Sequence, residues 1–208
     1  MIFENREEAG EKLAQLLQKK YASPETIVYA LPRGGVVTAY AIAKKLNAHL
    51  DIVLTRKIGH PFEKEYALAV VSETGNVTAN KKDLLLIDKD WFAAQVAQEM
   101  EEIKRRREVY MGNKKSLSAR NKIAIIVDDG IATGLTIKAA IAEIKSQNPQ
   151  KIIIAVPVMP QDTIDKLQSQ VDKIIALDID KNYLGSVGSY YKEFPQISDD
   201  IVMSLLKR

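Results

Sequence analysis

Ile123-Ala124-Ile125-Ile126-Val127-Asp128-Asp129-Gly130-Ile131-Ala132-Thr133-Gly134-Leu135-Thr136 is the stretch on which the fold turns. Its aliphatic opening reads as a strand covered on both faces, the pattern of a parallel sheet between helix layers. Helical spacing runs from Leu135 to Ser146. Strand, short loop and helix in that order put Asp128 and Asp129 at the carboxyl end of a buried strand, where open α/β sheets bind ligands. The helix start offers free backbone N–H groups and the positive end of the dipole. Gly130, Ala132 and Gly134 let the backbone approach an anion closely, while Thr133 and Thr136 add hydroxyl donors. Two carboxylates would repel a phosphate aimed at them. They make sense facing hydroxyls or a hydrated metal, which suits a ribose 5-phosphate: phosphate in the loop, sugar hydroxyls on the acids.

Outward from this stretch the same alternation continues. Asn5, with Glu8 three residues on, caps a helix over Arg6–Lys20 that presents Leu13, Leu16 and Leu17. Ile27–Leu31 reads as a buried strand ending in the turn Pro32-Arg33-Gly34-Gly35, followed by a helix over Val36–Leu46 and a strand over Leu50–Thr55. Beyond the central stretch come a strand at Lys151–Val156, a helix at Thr163–Gln170, a strand at Ile174–Leu177 and a short helix from Asp199. The middle differs: a loop at Arg56–Pro61, then Tyr66–Ser72 and Asn76–Ala79 flanking Glu73-Thr74-Gly75 as a hairpin. A long helix over Asp90–Tyr110 follows, with Phe92, Val96, Met100 and Ile103 on one face and Gly112-Asn113 at its end. The expected fold is α/β, an open, mainly parallel sheet flanked by helices. Residues 1–208 form one domain, with 56–122 as an inserted flexible hairpin plus long helix and 178–208 as a small C-terminal hood.

Composition narrows the function classes. The 208 residues carry 46% hydrophobic and 27% charged side chains, ordinary for a soluble globular chain. Cysteine is absent, which excludes disulfides, thiolate catalysis and thiolate zinc sites; His49 and His60 are too few for a histidine-rich metal site. No apolar run approaches the roughly 20 residues of a membrane span. Met1–Glu8 has neither the basic start nor the apolar block of a signal peptide, so a cytoplasmic protein is expected. A net charge of +3 suits a small anion and does not by itself call for a nucleic acid.

The stretch Ile123–Thr136 resembles the 5-phosphoribosyl-1-pyrophosphate (PRPP) signature of type I phosphoribosyltransferases: aliphatic residues, two acids, small residues, then Thr-Gly-x-Thr. Leu135 stands where a small residue is frequent. The resemblance implies a type I phosphoribosyltransferase fold in which Asp128 and Asp129 hold the ribose hydroxyls and contact Mg2+ indirectly. Gly130, Ile131, Ala132, Thr133, Gly134, Leu135 and Thr136 would hold the 5-phosphate. It also places a pyrophosphate loop at Arg33-Gly34-Gly35, a segment that by itself reads equally as a tight turn. Thr55-Arg56-Lys57-Ile58-Gly59 looks like the Arg-Lys-x-Gly loop of adenine-type members, so Arg56 and Lys57 are expected to face pyrophosphate, a solvated basic turn being the alternative. Segment Glu63–Asn80 occupies the position of the family's mobile catalytic lid, where Glu65 and Glu73 could reach substrate or lie on the surface.

Head to tail, the chain looks like a family of predicted bacterial phosphoribosyltransferases with a tyrosine-rich ending, here Gly185–Pro195. Tyr190 or Tyr191 could stack on a planar base, or the aromatics could pack on the core. Lys104-Arg105-Arg106-Arg107 reads better as a solvated helix face, balanced by Glu99, Glu101, Glu102 and Glu108, than as a nucleic-acid patch. The expected reaction is Mg2+-dependent transfer of the phosphoribosyl group from PRPP to a small nitrogenous base, releasing pyrophosphate. A non-catalytic, nucleic-acid-binding sensor of PRPP or nucleotides is the rival. Nucleic acid is not expected as a partner, and the long helix offers a surface for a homo-oligomer. Walker-type, Gly-x-Gly-x-x-Gly and Gly-x-Ser-x-Gly patterns are absent, which sets aside ATPases, dinucleotide enzymes and serine hydrolases.

Overall fold

A computed structural model describes residues 1–63, 66–79, 81–112 and 114–207. The chain begins α1 (Arg6–Tyr21), β1 (Thr26–Ala30), α2 (Gly34–Leu46), β2 (His49–Ile52). A second group follows: β3 (Thr55–Gly59), β4 (Ala67–Ser72), β5 (Val77–Ala79), the single turn α3 (Lys81–Leu84) and the long α4 (Lys89–Met111). The first pattern then resumes with β6 (Ile123–Val127), α5 (Leu135–Ser146), β7 (Lys151–Pro160), α6 (Gln161–Leu167) and β8 (Lys173–Asp180). A 3-10 turn at Val187–Tyr190 and α7 (Asp199–Leu206) end the chain.

One sheet is parallel throughout, in the order β2-β1-β6-β7-β8. Its side chains alternate between two helix layers, as the period of a strand requires. Val28, Ala30, Ile125, Val127, Ile153 and Ala155 pack with residues of α1, α2 and α7. Tyr29, Ala124, Ile126, Ile152, Ile154 and Val156 pack with residues of α5 and α6. Each fully buried aliphatic side chain contributes about 1.5–3 kcal/mol relative to exposure. The chain leaves β1 toward one edge, then returns to the other side of β1 through β6. The order reverses there, and such a switch point leaves a crevice beyond the strand ends. Ala30 pairs with Val127, and Leu31 N–H donates to Val127 O at 2.9 Å, so the two strands deliver Pro32–Gly35 and Asp128–Asp129 side by side.

This is the type I phosphoribosyltransferase arrangement expected from the sequence, with local differences. Asn5 Oδ1 accepts from Glu8 N–H at 2.9 Å and caps α1 as expected, but Leu16 is exposed while Leu13 and Leu17 are buried. Gly34 and Gly35 open helix α2 rather than completing a turn. The strand expected over Leu50–Thr55 divides. Val53 N–H still bonds Ala30 O, and Thr55 already belongs to a separate antiparallel sheet, β3-β4-β5. Arg56 and Lys57 therefore lie on a strand, not a loop, opposite Val71 and Val70. Only Ile58 of that strand is buried, which left little hydrophobic pattern to read.

The small sheet does not stand free. Leu68, Ala69, Val70 and Val71 are buried. Its β4–β5 turn is fastened to Glu143 of α5, whose carboxylate accepts from Ser72 Oγ at 2.7 Å and from Thr74 Oγ1 at 2.6 Å. The expected lid is thus a docked element. Its outer loop exposes Phe62, and Glu65 lies outside the described residues, as does Asn113 after α4. Among the described residues no helix is long and apolar enough to cross a membrane.

Candidate functional site

Two cavities meet beyond the carboxyl ends of β1 and β6. One, about 310 Å³, is bounded by Leu31 and Pro32, by Val53–Lys57, by Arg106 of α4, and by Asp128 and Thr136. The other, about 200 Å³, runs along Gly130–Gly134 to Thr136 and Ile137, with Val187 of the tail opposite. Lys57, Asp128 and Thr136 line both.

The loop along the smaller cavity is held from behind. Ile131 N–H donates to Val158 O at 2.9 Å, and Thr163 Oγ1 donates to Ala132 O at 3.0 Å. The amides of Ala132, Thr133 and Gly134 donate to no protein acceptor among the described residues, which leaves them for an anion at the start of α5. Gly134 has φ +78°, and a Cβ there would stand 2.8 Å from the Thr163 methyl. A Cβ on Gly130 would meet Val187 at 2.5 Å. Leu135 starts α5 and lines neither cavity.

The paired acids diverge. Asp128 faces the cavities, and its carboxyl is pushed well above the ordinary aspartate range by burial and then by the charge of Asp129. Asp129 lines neither cavity. Its Oδ2 accepts from Arg6 Nε at 2.7 Å, and its backbone oxygen accepts from the Tyr191 hydroxyl at 2.5 Å. A Cβ on Gly34 would lie 1.8 Å from Asp129 Oδ2, and one on Gly35 would lie 2.9 Å from Asp128 Cα. These glycines let the start of α2 close against the acids, a packing requirement beyond the amide donation expected of them.

Other expected residues divide likewise. Lys57 is exposed at the junction of the cavities and makes no ion pair among the described residues. Arg56 lines the larger cavity, its Nε bonded to Glu99 at 2.6 Å. Arg33 lines neither; it turns toward Asp199 of α7, 3.7 Å away. Tyr190 and Tyr191 are buried. Tyr190 stacks on Tyr183 with centroids 5.4 Å apart and donates to Asp180 at 2.6 Å, while Tyr191 packs between Phe3 and Phe194. Neither ring is an open wall of the two cavities.

Sequence reading missed three arginines. Arg6 had no local signal, since its partner is 123 residues away. Arg106 reaches the larger cavity from a run read as a solvated face. Arg107 is a buried tie: it donates to Ile52 O at 3.0 Å and pairs with the fully buried Asp51 at 2.9 Å. Ile103, Arg107 and Tyr110 share one helix face, a spacing that marked Arg107 as inward. Glu73 completes this tie, accepting from Leu54 N–H at 2.8 Å, and burial raises its pKa. Arg105 and Arg106 both bond Glu102, so two members of the basic run are ion-paired on the helix surface.

Magnesium is what the family resemblance implies. Among the described residues no group of three or more histidine, cysteine or acidic side chains could hold a metal, and Asp129 is committed to Arg6. A cage built by the protein alone does not fit this donor set. Of the two acids, Asp128 lines both cavities and is the one that would contact such an ion.

Comparison with known proteins identifies the family. The family model described as phosphoribosyl transferase domain matches residues 1–192. A Mycobacterium tuberculosis (strain ATCC 25618 / H37Rv) protein named "Putative phosphoribosyl transferase Rv0571c" is 35% identical over 210 residues, covering 100% of this chain and 47% of its own length. The chain thus spans about half the length of the curated relatives it matches. The crystal structure of TT1426 from Thermus thermophilus aligns with TM-score 0.84 at 31% identity, over 99% of this chain and 98% of that one. The AQ2163 protein from Aquifex aeolicus, at TM-score 0.52 and 14% identity over 84% and 73%, shares the fold alone. The strand order, the loop at its switch point and these matches place the chain in the phosphoribosyl transferase family.

Proposed function

We propose that the chain transfers the 5-phosphoribosyl group of PRPP to a nitrogenous base and releases pyrophosphate. The observation that carries this is the meeting of two unlike cavities at Asp128, one rich in free amides and one rich in cations. PRPP has that polarity: a terminal phosphate, a sugar with two hydroxyls, and a pyrophosphate. The 5-phosphate sits on the Gly130–Thr136 loop, the ribose hydroxyls meet Asp128, and the pyrophosphate lies among Pro32, Arg56 and Lys57, which line the larger cavity. Asp129 acts from behind the site by fixing the start of α2 and the tail.

Holding both ends of PRPP aligns C1′ for attack, and such alignment can supply about 7–11 kcal/mol of a barrier. Cations placed where leaving-group charge develops lower the barrier further. Magnesium, when bound on the substrate, neutralises phosphate charge. Hydroxyl donors on the Asp128 carboxylate would offset the burial that raises its pKa. A cytoplasmic setting and a free-base acceptor belong to this reading. The ion pairs of Arg105, Arg106 and Arg107 support this reading over a nucleic-acid-binding sensor.

Calorimetric titration with PRPP and magnesium, followed by pyrophosphate release on adding a panel of bases, tests the proposal. Micromolar binding with release for one base is the expected result. Binding without release for any base would favour a sensor, and absence of binding would reject the site.

A further inference from the structure

The cationic side of the larger cavity has a member that the signature segments do not supply. Arg106 projects into it from the inserted helix α4, beside Arg56 and Lys57. Glu102 Oε1 accepts from Arg106 Nε at 2.7 Å. Its two terminal amino groups bond no protein acceptor among the described residues. Arg56 is held the same way, with Glu99 of α4 on its Nε at 2.6 Å. Each glutamate thus fixes the plane of a guanidinium while its outer donors stay free. Arg105 gives an internal contrast: it shares Glu102, but its side chain is 59% exposed against 31% for Arg106, and it does not reach this cavity.

We propose that Arg106 is a catalytic residue that binds the departing pyrophosphate. The inference rests on the transferase reading above. When the C1′–O bond breaks, its electron pair leaves on the pyrophosphate oxygen, which gains one unit of negative charge. The acceptor nitrogen supplies the pair for the new C1′–N bond and loses its proton to water. A planar guanidinium with two free amino groups matches phosphate oxygens and is strongest where that charge arrives. Helix α4 therefore belongs to the chemistry as well as the scaffold, and the ties from Arg107 to Asp51 and Ile52 O set its position over the strand ends.

The test uses the full chain with two probes, magnesium pyrophosphate and ribose 5-phosphate, measured by calorimetry, alongside PRPP turnover. Arg106→Met should weaken pyrophosphate binding about tenfold or more, the loss expected for a hydrogen bond to a charged group, and lower turnover, with ribose 5-phosphate binding unchanged. Arg106→Lys should recover part of the affinity, and Arg105→Met should alter neither probe. Unchanged pyrophosphate affinity in Arg106→Met, against a wild type that binds it, would overturn the proposal and leave the transferase reading intact. Equal loss of both probes would mark Arg106 as structural and also overturn it. A wild type that binds neither pyrophosphate nor PRPP would reject the transferase reading itself, and this inference with it.

Discussion

Arg6 Nε lies 2.7 Å from Asp129 Oδ2, and the two side chains are only 7% and 14% exposed. The same guanidinium sits 3.6 Å from the centroid of Phe194 and donates Nη1 to Pro195 O at 2.8 Å. One side chain from the first helix thus joins the signature loop to the C-terminal tail. Arg6→Met should leave Asp129 buried without a partner and cost about 3–5 kcal/mol, the range for breaking a buried pair from one side. Urea denaturation of the single variant and of Arg6→Met with Asp129→Asn measures this. The double variant should recover most of the loss.

Asp128 carries a stability cost that depends on pH. Its folded pKa is raised above the ordinary value of 3.8, chiefly by burial. The folded state therefore holds this proton more tightly than the unfolded chain, and stability falls as pH rises from that value through the folded pKa. Asp128→Asn should be more stable than wild type at pH 7, with the gap closing below pH 3.8, while PRPP turnover is lost. Thermal unfolding across pH, paired with a pyrophosphate-release assay, reads both. A variant that is less stable at neutral pH would contradict the burial argument.

Glu143 anchors the β4–β5 turn from α5. Its carboxylate takes three donors: Ser72 Oγ, Thr74 Oγ1 and Thr74 N–H. Removing it strands the buried Ser72 hydroxyl, at about 1–3 kcal/mol. Glu143→Ala should lower the melting temperature and speed amide exchange through Glu73–Ala79 before it affects the parallel sheet.

Gly34→Ala tests the close approach of α2 to the acids. Its Cβ would stand 1.8 Å from Asp129 Oδ2 and 3.0 Å from Arg6 Nε, so the ion pair must open. Loss of turnover with a lowered melting temperature is expected. Wild-type stability would mean that Asp129 has room to move.

Much of the fold was legible because its signals are local. Ile123–Val127 and Leu135–Ser146 carry unbroken aliphatic and helical periods, and their bounds follow from the residues alone. Asn5 and Glu8 likewise announced the start of α1. Thr55–Gly59 did not read as a strand, because one buried residue in five gives no alternation. At the site, the phosphate-loop glycines and Asp128 stood out by type and spacing. The partner of Asp129, the arrival of Arg106 from α4 and the burial of Tyr190 and Tyr191 did not. Each depends on contacts between distant segments, and no local pattern records such contacts.

Phe3 forms an isolated parallel bridge with Tyr191 of the tail, and this bridge has a kinetic consequence. Phe3 N–H bonds Tyr190 O, Lys192 N–H bonds Phe3 O, and Arg6, three residues on, bonds Asp129. These contacts span nearly the whole sequence, so their loop-closure entropy is among the largest in the molecule. Local helices and the β6–α5 junction are expected to gain structure first, with the Phe3 and Arg6 contacts after them, an order that pulse-labelled amide exchange would read. During synthesis on the ribosome, Asp129 waits through 62 further residues before Tyr191 can reach it. A nascent chain therefore carries its signature loop without the Tyr191 brace until the tail has been made.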